Sequence, residues 1–290
     1  MICIHHNKDL DGYCSGAVVR RKYPDCKLIG WDYGQPLPDF KEMLGEDVIM
    51  IDISFPIGKV LDLAAISRLT IIDHHISFKK EVDELIQTQR DSFTYIYELG
   101  VAACEIGWKY LFSGIKVPKA VTLLGRYDTW RKDEGFWEEE TLPFQFYMRT
   151  ECTSPETFPM ELLASGSYAE DCIVKAISIG RSILKYQEQQ DMLACGRAAF
   201  EMEFEGLRAI CLNQGAFSSN TLQTVYDPEK HDIMIGFQFN GKFWNVSLRS
   251  AKVNVDVSVI AKSRGGGGHK AAAGFEAKTF EEIFKVKELV

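Results

Sequence analysis

Short apolar runs alternate with amphipathic stretches from Met1 to about Asp128. The apolar runs have the length and composition of buried strands, and the stretches between them have the apolar spacing of helices. The runs predicted to be strands cover residues 2–4, 27–31, 48–51, 70–72 and 92–97. This alternation is typical of a mostly parallel sheet that is flanked by helices.

The pattern changes after residue 165. Between residues 168 and 195, apolar side chains such as Ile173, Ile177 and Ile183 recur at the spacing of one long amphipathic helix. Further apolar runs follow, and Asn240-Gly241 predicts a hairpin turn between two of them. We therefore expect an α/β protein with three parts: a domain over 1–165 built on a mostly parallel sheet flanked by helices, a connector helix over 166–197, and a smaller α/β domain with a mixed sheet over 198–290.

The composition limits the kind of partner. The 290 residues are 46% hydrophobic, which is enough for two packed domains, and the net charge of -8 disfavours binding to a long nucleic-acid duplex. The 8 cysteines are scattered without a CxxC pair, as expected in a reducing compartment. We find neither a signal-peptide pattern nor an apolar stretch of membrane length, so we expect a cytoplasmic protein that binds no membrane.

Acidic and imidazole side chains follow the predicted strands. They are His5, His6, Asp9 and Asp11 after the first strand, Asp52 after the third, Asp73, His74 and His75 at the fourth, and Asp128 at the end of a predicted helix. Because ligands of open α/β sheets bind beyond the carboxyl ends of the strands, we expect these side chains to converge.

Carboxylates mixed with imidazoles favour Mn²⁺ or a similar octahedral ion, and this set is large enough for two ions. Two adjacent ions that share a carboxylate lower the pKa of a water molecule for attack on phosphorus, so phosphoester hydrolysis is the predicted reaction. Strand alternation points His5 and His6 to opposite faces, so one of them is expected at the metal site. The residues alone leave that choice open.

A glycine run at residues 265–268 is a second candidate site. Four glycines expose backbone N–H groups, and the alanines after His269 predict a helix whose N-terminus would favour an anion. Together with the upstream Arg249, this segment predicts a phosphate-binding site.

These motifs, in this order, resemble those of the DHH phosphoesterase superfamily. The matching residues are His5-x3-Asp9-x-Asp11, Asp52, Asp73-His74-His75 and Asp128. The stretch from Ser247 through the glycine run to Gly274 is similar to the nucleic-acid-associated C-terminal domain of that superfamily.

The resemblance implies a role for each matching residue. His5 and Asp9 would hold one metal ion, Asp11, His74 and Asp128 would hold the other, and Asp52 would bridge the two. His75, facing the phosphate, and Asp73, orienting the imidazoles, are the implied catalytic residues. The residues implied to hold a terminal phosphate or nucleotide are Arg249, Gly266, Gly267, Gly268 and His269.

The resemblance also implies an activity. We expect a phosphodiesterase that hydrolyses short oligonucleotides to mononucleotides. It would use two divalent metal ions, and Mn²⁺ is the ion that we expect. The alternatives are a phosphatase of 3′-phosphoadenosine 5′-phosphate, a cyclic-dinucleotide phosphodiesterase, and, in another class, an inactive nucleotide-binding adaptor. The expected partner is a short single-stranded oligonucleotide or a small nucleotide, and a homodimer is one assembly that the sequence leaves open.

Overall fold

The computed structural model describes residues 1–214 and 221–284. The chain divides into two compact units, Met1–Leu184 and Lys185–Val290. Their boundary lies within one long helix, α8 (Ser167–Ala198). In the described part of the chain, no helix is both long and apolar enough to cross a bilayer.

The first unit is built on a sheet of five parallel strands, in the order β2-β1-β3-β4-β5. The strands are β1 (Ile2–His6), β2 (Lys27–Trp31), β3 (Asp47–Ile51), β4 (Arg68–Asp73) and β5 (Thr94–Tyr97). All four pairings between neighbours are parallel, which confirms the predicted sheet.

Helices connect these strands and continue after the last one. They are α1 (Leu10–Lys22), α2 (Ile57–Ala64), α3 (Ile76–Glu84), α4 (Gln87–Arg90), α5 (Ala103–Leu111), α6 (Lys119–Asp128) and α7 (Leu142–Glu151), followed by α8. Shorter helical turns cover Phe40–Met43, Lys132–Glu134, Trp137–Thr141 and Met160–Leu163.

The alternation of side chains along each strand divides the apolar residues between two cores. Along β3, Ile49 and Ile51 belong to the core on the face covered by α1 and α5, whereas Val48 and Met50 belong to the core on the face covered by α2 and α3. Both faces of the sheet are therefore buried, which explains why its central strands are apolar throughout rather than alternating with polar residues.

The second unit contains a six-stranded mixed sheet, in the order β10-β11-β9-β8-β7-β6. The strands are β6 (Ala199–Phe204), β7 (Leu207–Asn213), β8 (Ile233–Phe239), β9 (Trp244–Arg249), β10 (Gly267–His269) and β11 (Ala272–Ala277). The β7–β8 pair is parallel and the other pairs are antiparallel. Helices α9 (Val257–Ser263) and α10 (Phe280–Ile283) contribute to its core. The predicted fold class, α/β with a mixed sheet in the smaller domain, is confirmed.

The helix predicted after the glycine run is wrong. Gly267–His269 and Ala272–Ala277 are instead two antiparallel strands, and β11 also pairs along its whole length with β9. Pairing in the sheet buries Ala273, Phe275 and Ala277 in the core of the second unit. That tertiary burial outweighs the local helix propensity of the alanines.

Candidate metal centre

Three strands of the first unit end at one edge of the sheet with polar side chains. Strand β1 ends at His6, β3 is followed by Asp52, and β4 ends at Asp73. The strands are parallel neighbours, so their carboxyl ends lie side by side. This is the edge at which ligands of open α/β sheets bind.

In the described residues, three groups of side chains bring possible metal ligands within 4.8 Å of one another. They are Asp52, His74 and His75; His6, Asp9 and Asp52; and Asp11, His74 and Asp128. Asp52 belongs to two of the groups and His74 also belongs to two. The three groups therefore form one continuous cluster, which we call the acid–imidazole cluster.

His74 lies among three carboxylates of this cluster. Its Nε2 atom is 3.3 Å from Asp52 Oδ1, 3.6 Å from Asp128 Oδ2 and 3.7 Å from Asp11 Oδ2. These residues come from the start of α1, the end of β3 and the last position of α6. Side chains distant in the sequence thus meet around a single imidazole.

His6 occupies the other side of Asp52. Its Nδ1 atom is 3.1 Å from Asp9 Oδ2 and 3.5 Å from Asp52 Oδ2, and its Nε2 atom is 3.3 Å from Asp32 Oδ1. Asp32 was not among the predicted site residues. It directly follows strand β2, so the strand-end rule that selected Asp52 could also have found it.

The structure places His5 outside the cluster and His6 within it, whereas the resemblance selected His5 as the metal ligand. The His5 residue is only 2% exposed, and its Nδ1 atom is hydrogen-bonded to the carbonyl oxygen of His6 at 2.9 Å. Its ring meets Tyr13 edge-on, at a centroid distance of 6.5 Å. The reason is the strand alternation, which turns neighbouring side chains to opposite faces of β1 and leaves only His6 beside Asp9 and Asp52.

Asp9 and Asp11 are fixed by the two helix starts next to them. Asp9 caps α1 by accepting a hydrogen bond from the Gly12 N–H at 3.0 Å. Asp11 is buried and accepts hydrogen bonds from the Ala103 and Cys104 N–H groups, each at 2.9 Å, at the start of α5. A Cβ atom at Gly12 would lie 2.2 Å from the His6 carbonyl oxygen, so glycine is required where α1 leaves the sheet.

Asp52 has the features expected of a bridging ligand. The residue is 2% exposed, and its backbone has a φ of 62°, in the left-handed region that Asp and Asn adopt more readily than most residues. Its Oδ2 atom is buried and makes no hydrogen bond among the described residues, although it faces His6 Nδ1 at 3.5 Å. A buried carboxylate oxygen in this state is costly unless it is paired, so a cation fits the position.

Burial and mutual repulsion shift the pKa values of the carboxylates. Burial raises the pKa of Asp128 to about 7, and the charge of Asp52 adds to this rise. Burial, followed by the charges of Asp52 and Asp128, also holds the pKa of Asp11 well above its usual range. Burial would raise the pKa of Asp52 too, but the imidazoles of His6 and His74 lower it to about 2.

The neighbouring carboxylates raise the pKa values of both imidazoles, His6 and His74, against the effect of burial. Burial alone would lower the pKa of His6, but the carboxylates of Asp52 and Asp9 raise it to about 10. The pKa of His74 is also raised, because Asp52 and Asp128 outweigh its burial. Bound divalent cations would take over this compensation of the carboxylate charge.

The Asp73 carboxylate is hydrogen-bonded to the backbone of the two residues after β4 and to the side chain of the second one, His75. Its Oδ1 atom accepts hydrogen bonds from the N–H groups of His74 at 2.8 Å and His75 at 3.2 Å, and lies 2.7 Å from His75 Nδ1. This interaction outweighs burial and raises the pKa of His75 to about 9. The side chain of His75 is 37% exposed, so a partly solvent-accessible imidazole lies beside the cluster.

The predicted phosphate-binding residues lie in the second unit. Arg249 ends β9 and pairs with Ala272 of β11. A Cβ atom at Gly266 would lie 2.1 Å from the Gly274 carbonyl oxygen, and Gly268 has a φ of +134°, so both positions require glycine for the hairpin itself. A Cβ atom at Gly267 would meet nothing within 4 Å. The backbone of His269 ends β10, and its side chain lies outside the part that the structure describes.

Comparison with known proteins gives a distant relative in sequence and clearer relatives in fold. No family model matches the chain. The uncharacterized protein R106 of Acanthamoeba polyphaga mimivirus is 23% identical over 250 residues, which are 79% of this chain and 52% of that protein. The chain thus spans about half the length of the curated relative that it matches.

Two solved structures have a similar fold over almost the whole chain. The DHH domain of PF0399, described as a member of the s1p family of ribosomal proteins, matches with a TM-score of 0.62 and 15% identity over 98% of this chain and 84% of its own. The pGpG-specific phosphodiesterase PggH from Vibrio cholerae matches with a TM-score of 0.51 and 13% identity over 97% and 93%. The resemblance to the DHH superfamily is confirmed at the level of the fold: the chain has the fold of a DHH-domain protein.

Proposed function

We propose that the chain is a metal-dependent phosphodiesterase that hydrolyses short oligonucleotides to mononucleotides. The observation that carries this proposal is the position of Asp52, whose two carboxylate oxygens face different ligand groups. Its Oδ1 atom lies 3.3 Å from His74 Nε2 and its Oδ2 atom lies 3.5 Å from His6 Nδ1. A carboxylate shared in this way suits a pair of divalent ions.

The ligand set favours Mn²⁺ as the ion. Asp9, Asp52 and His6 would hold one ion, and Asp11, Asp128 and His74 would hold the other, with Asp52 common to both. Oxygen and imidazole ligands without thiolates suit an octahedral ion of this kind. When bound, the ions would polarise the phosphoryl oxygens and lower the pKa of a water molecule.

His75 is the protein group proposed to contact the phosphate. Asp73 fixes its Nδ1 edge, so the remaining Nε2–H can donate to a phosphoryl oxygen. The Asp73 carboxylate, 2.7 Å from Nδ1, favours the imidazolium form, which would carry the positive charge that an anionic substrate requires. In the second unit, Arg249, His269 and the N–H groups of residues 266–268 are proposed to hold the substrate's terminal phosphate.

The choice of a short nucleic acid is supported by one related fold and by charge. PggH is named as a phosphodiesterase for pGpG, a dinucleotide, and has the same fold. The net charge of -8 disfavours a long polyanion but is compatible with a small substrate that binds at metal ions.

The test is hydrolysis of RNA and DNA oligonucleotides of increasing length in the presence of Mn²⁺, with products separated by chromatography. We expect mononucleotides from dinucleotides to pentanucleotides, and a loss of several orders of magnitude in Asp52→Asn. The matched control is Asp62→Asn, which alters an exposed carboxylate paired with Lys59. Wild-type protein that leaves every oligonucleotide intact would refute the proposal, and release of inorganic phosphate from 3′-phosphoadenosine 5′-phosphate instead would identify a phosphatase.

A further inference from the structure

A cavity of about 360 Å³ lies in the first unit, apart from the side chains assigned to the metal centre. Aromatic side chains contribute much of its wall, and polar groups complete it. The aromatic residues are Trp31, Tyr33, Phe55 and Phe78, and the polar ones include Ser54, Ser77 and Glu81. Ligand sites in proteins commonly combine an apolar wall with a few polar groups in this way.

The chain itself places this cavity next to the acid–imidazole cluster. Tyr33 directly follows Asp32, the carboxylate that contacts His6. Ser54 comes two residues after Asp52, and Ser77 comes two residues after His75. Two residues of chain span at most about 7 Å, so a group bound in the cavity would lie close to a phosphate at the cluster.

Tyr33 lines this cavity with a partly exposed ring. The residue is 55% exposed, although Trp31 behind it is buried. The two rings meet edge to face with centroids 5.5 Å apart, and Trp31 in turn packs against the buried Phe55 at 4.9 Å. A buried aromatic pair thus supports a ring whose remaining surface is accessible, which is the arrangement that stacking on a planar ligand requires.

The polar side of the cavity comes from helix α3. Ser77 and Glu81 are separated by four positions and therefore lie on the same face of the helix. Both are exposed, while Phe78 next to them is buried in the core. A hydroxyl and a carboxylate at this spacing can accept hydrogen bonds from the N–H groups at the edge of a planar heterocycle.

We propose that this cavity binds the nucleobase of the nucleotide whose phosphate lies at the metal centre, with Tyr33 as the stacking surface. This inference rests on the proposed function for the identity of the substrate. The volume of the cavity, about 360 Å³, lies near the lower limit of the range of about 300–1,000 Å³ for ligand pockets. The cavity therefore fits one nucleoside rather than a longer segment. Tyr33 would thereby contribute to the preference for nucleotides over other phosphoesters.

The experiment measures binding, so that it does not depend on catalysis. The full-length protein with Mn²⁺ is titrated calorimetrically with the four ribonucleoside 5′-monophosphates and with ribose 5-phosphate, which lacks the base. We expect at least one mononucleotide to bind roughly 5- to 100-fold more tightly than ribose 5-phosphate, as base stacking on an aromatic ring predicts.

Three variants complete the test. Tyr33→Ala should lose the preference for the mononucleotide, while Tyr33→Phe should keep it because the stacking ring remains. Tyr168→Ala, which alters another exposed tyrosine, should behave as the wild type. Equal binding of nucleotide and ribose 5-phosphate by the wild type, or an unchanged preference in Tyr33→Ala, would overturn the inference. Failure to cleave oligonucleotides would instead overturn the proposed function, because base preference is measured here without cleavage.

Discussion

The Nε2 atom of His6 lies 3.3 Å from Asp32 Oδ1, and this contact determines which edge of the ring faces the candidate metal centre. With Nε2 directed to Asp32, the Nδ1 atom faces Asp9 and Asp52. Lys8 also lies 3.3 Å from the other oxygen of Asp32, so this carboxylate is itself oriented. A histidine ligand whose second nitrogen is held by a carboxylate is fixed in its orientation and is a stronger metal ligand.

We predict that Asp32→Asn weakens Mn²⁺ binding by about 10- to 100-fold, the usual effect of losing such a partner. Calorimetric titration with Mn²⁺ measures the change. Asp62→Asn is the control, since Asp62 pairs with Lys59 at an exposed position. An Mn²⁺ affinity in Asp32→Asn equal to that of the wild type would contradict the role given to Asp32.

The two neighbouring histidines should respond differently to substitution. We expect His6→Ala to lose Mn²⁺ at the site next to Asp9, because its Nδ1 atom is the imidazole nitrogen there. His5→Ala should retain the number of bound ions but lower the free energy of unfolding by about 1–3 kcal/mol, because it removes a buried side chain and its hydrogen bond. Metal content and urea unfolding in EDTA separate the two effects. The reverse pattern would return the ligand role to His5.

The backbone of Asp52 predicts a difference between two substitutions that both remove its charge. Asparagine adopts a φ near the observed 62° more easily than alanine does. We therefore expect metal-free Asp52→Ala to be about 1 kcal/mol less stable than metal-free Asp52→Asn. Equal unfolding free energies for the two variants would show that this backbone conformation is not retained.

Gly180 sets how closely helix α8 approaches the segment at Pro143. A Cβ atom at this position would lie 1.9 Å from the Pro143 carbonyl oxygen. We expect Gly180→Ala to lower the free energy of unfolding by about 1–3 kcal/mol, as overpacking does. Gly58→Ala is the matched control, because its new Cβ would meet nothing within 4 Å and should stabilise α2 by roughly 0.5–1 kcal/mol.

Asp232 makes the second unit sensitive to acid. Hydrogen bonds from Arg208 and, with a smaller effect, from Lys252 hold the pKa of this carboxyl well below its usual range. Its stabilising effect is therefore complete above its unfolded pKa of about 3.9 and is lost as the pH falls towards its lower folded pKa. We expect wild type to be more stable than Asp232→Asn at pH 7, with the difference shrinking below about pH 4. Urea unfolding across this range tests the sign, and a difference that grows in acid would contradict it.

The local pattern of the sequence was sufficient for much of this architecture. Apolar runs of strand length, separated by amphipathic stretches, predict the parallel sheet, because burial on both faces requires apolar residues throughout each strand. The same pattern predicts a shared edge for the strand ends, and the structure brings Asp9, Asp11, Asp52, His74 and Asp128 together there. The rule that ligand-binding residues of an open α/β sheet lie at the carboxyl ends of its strands is enough to predict that these side chains converge.

Other features depended on contacts that no local pattern contains. The direction of a side chain from β1 decides between His6 and His5. The strand-end rule places Asp32 at the shared edge, but only the pairing of β2 with β1 makes His6 its partner. Likewise, the alanines after His269 form a strand because β9 is available to pair with them. Helix periodicity and strand-end motifs are properties of residues that are neighbours in the chain. Strand pairing and burial instead join segments that are far apart in the sequence. Only the folded structure therefore determines which of these segments pack against one another.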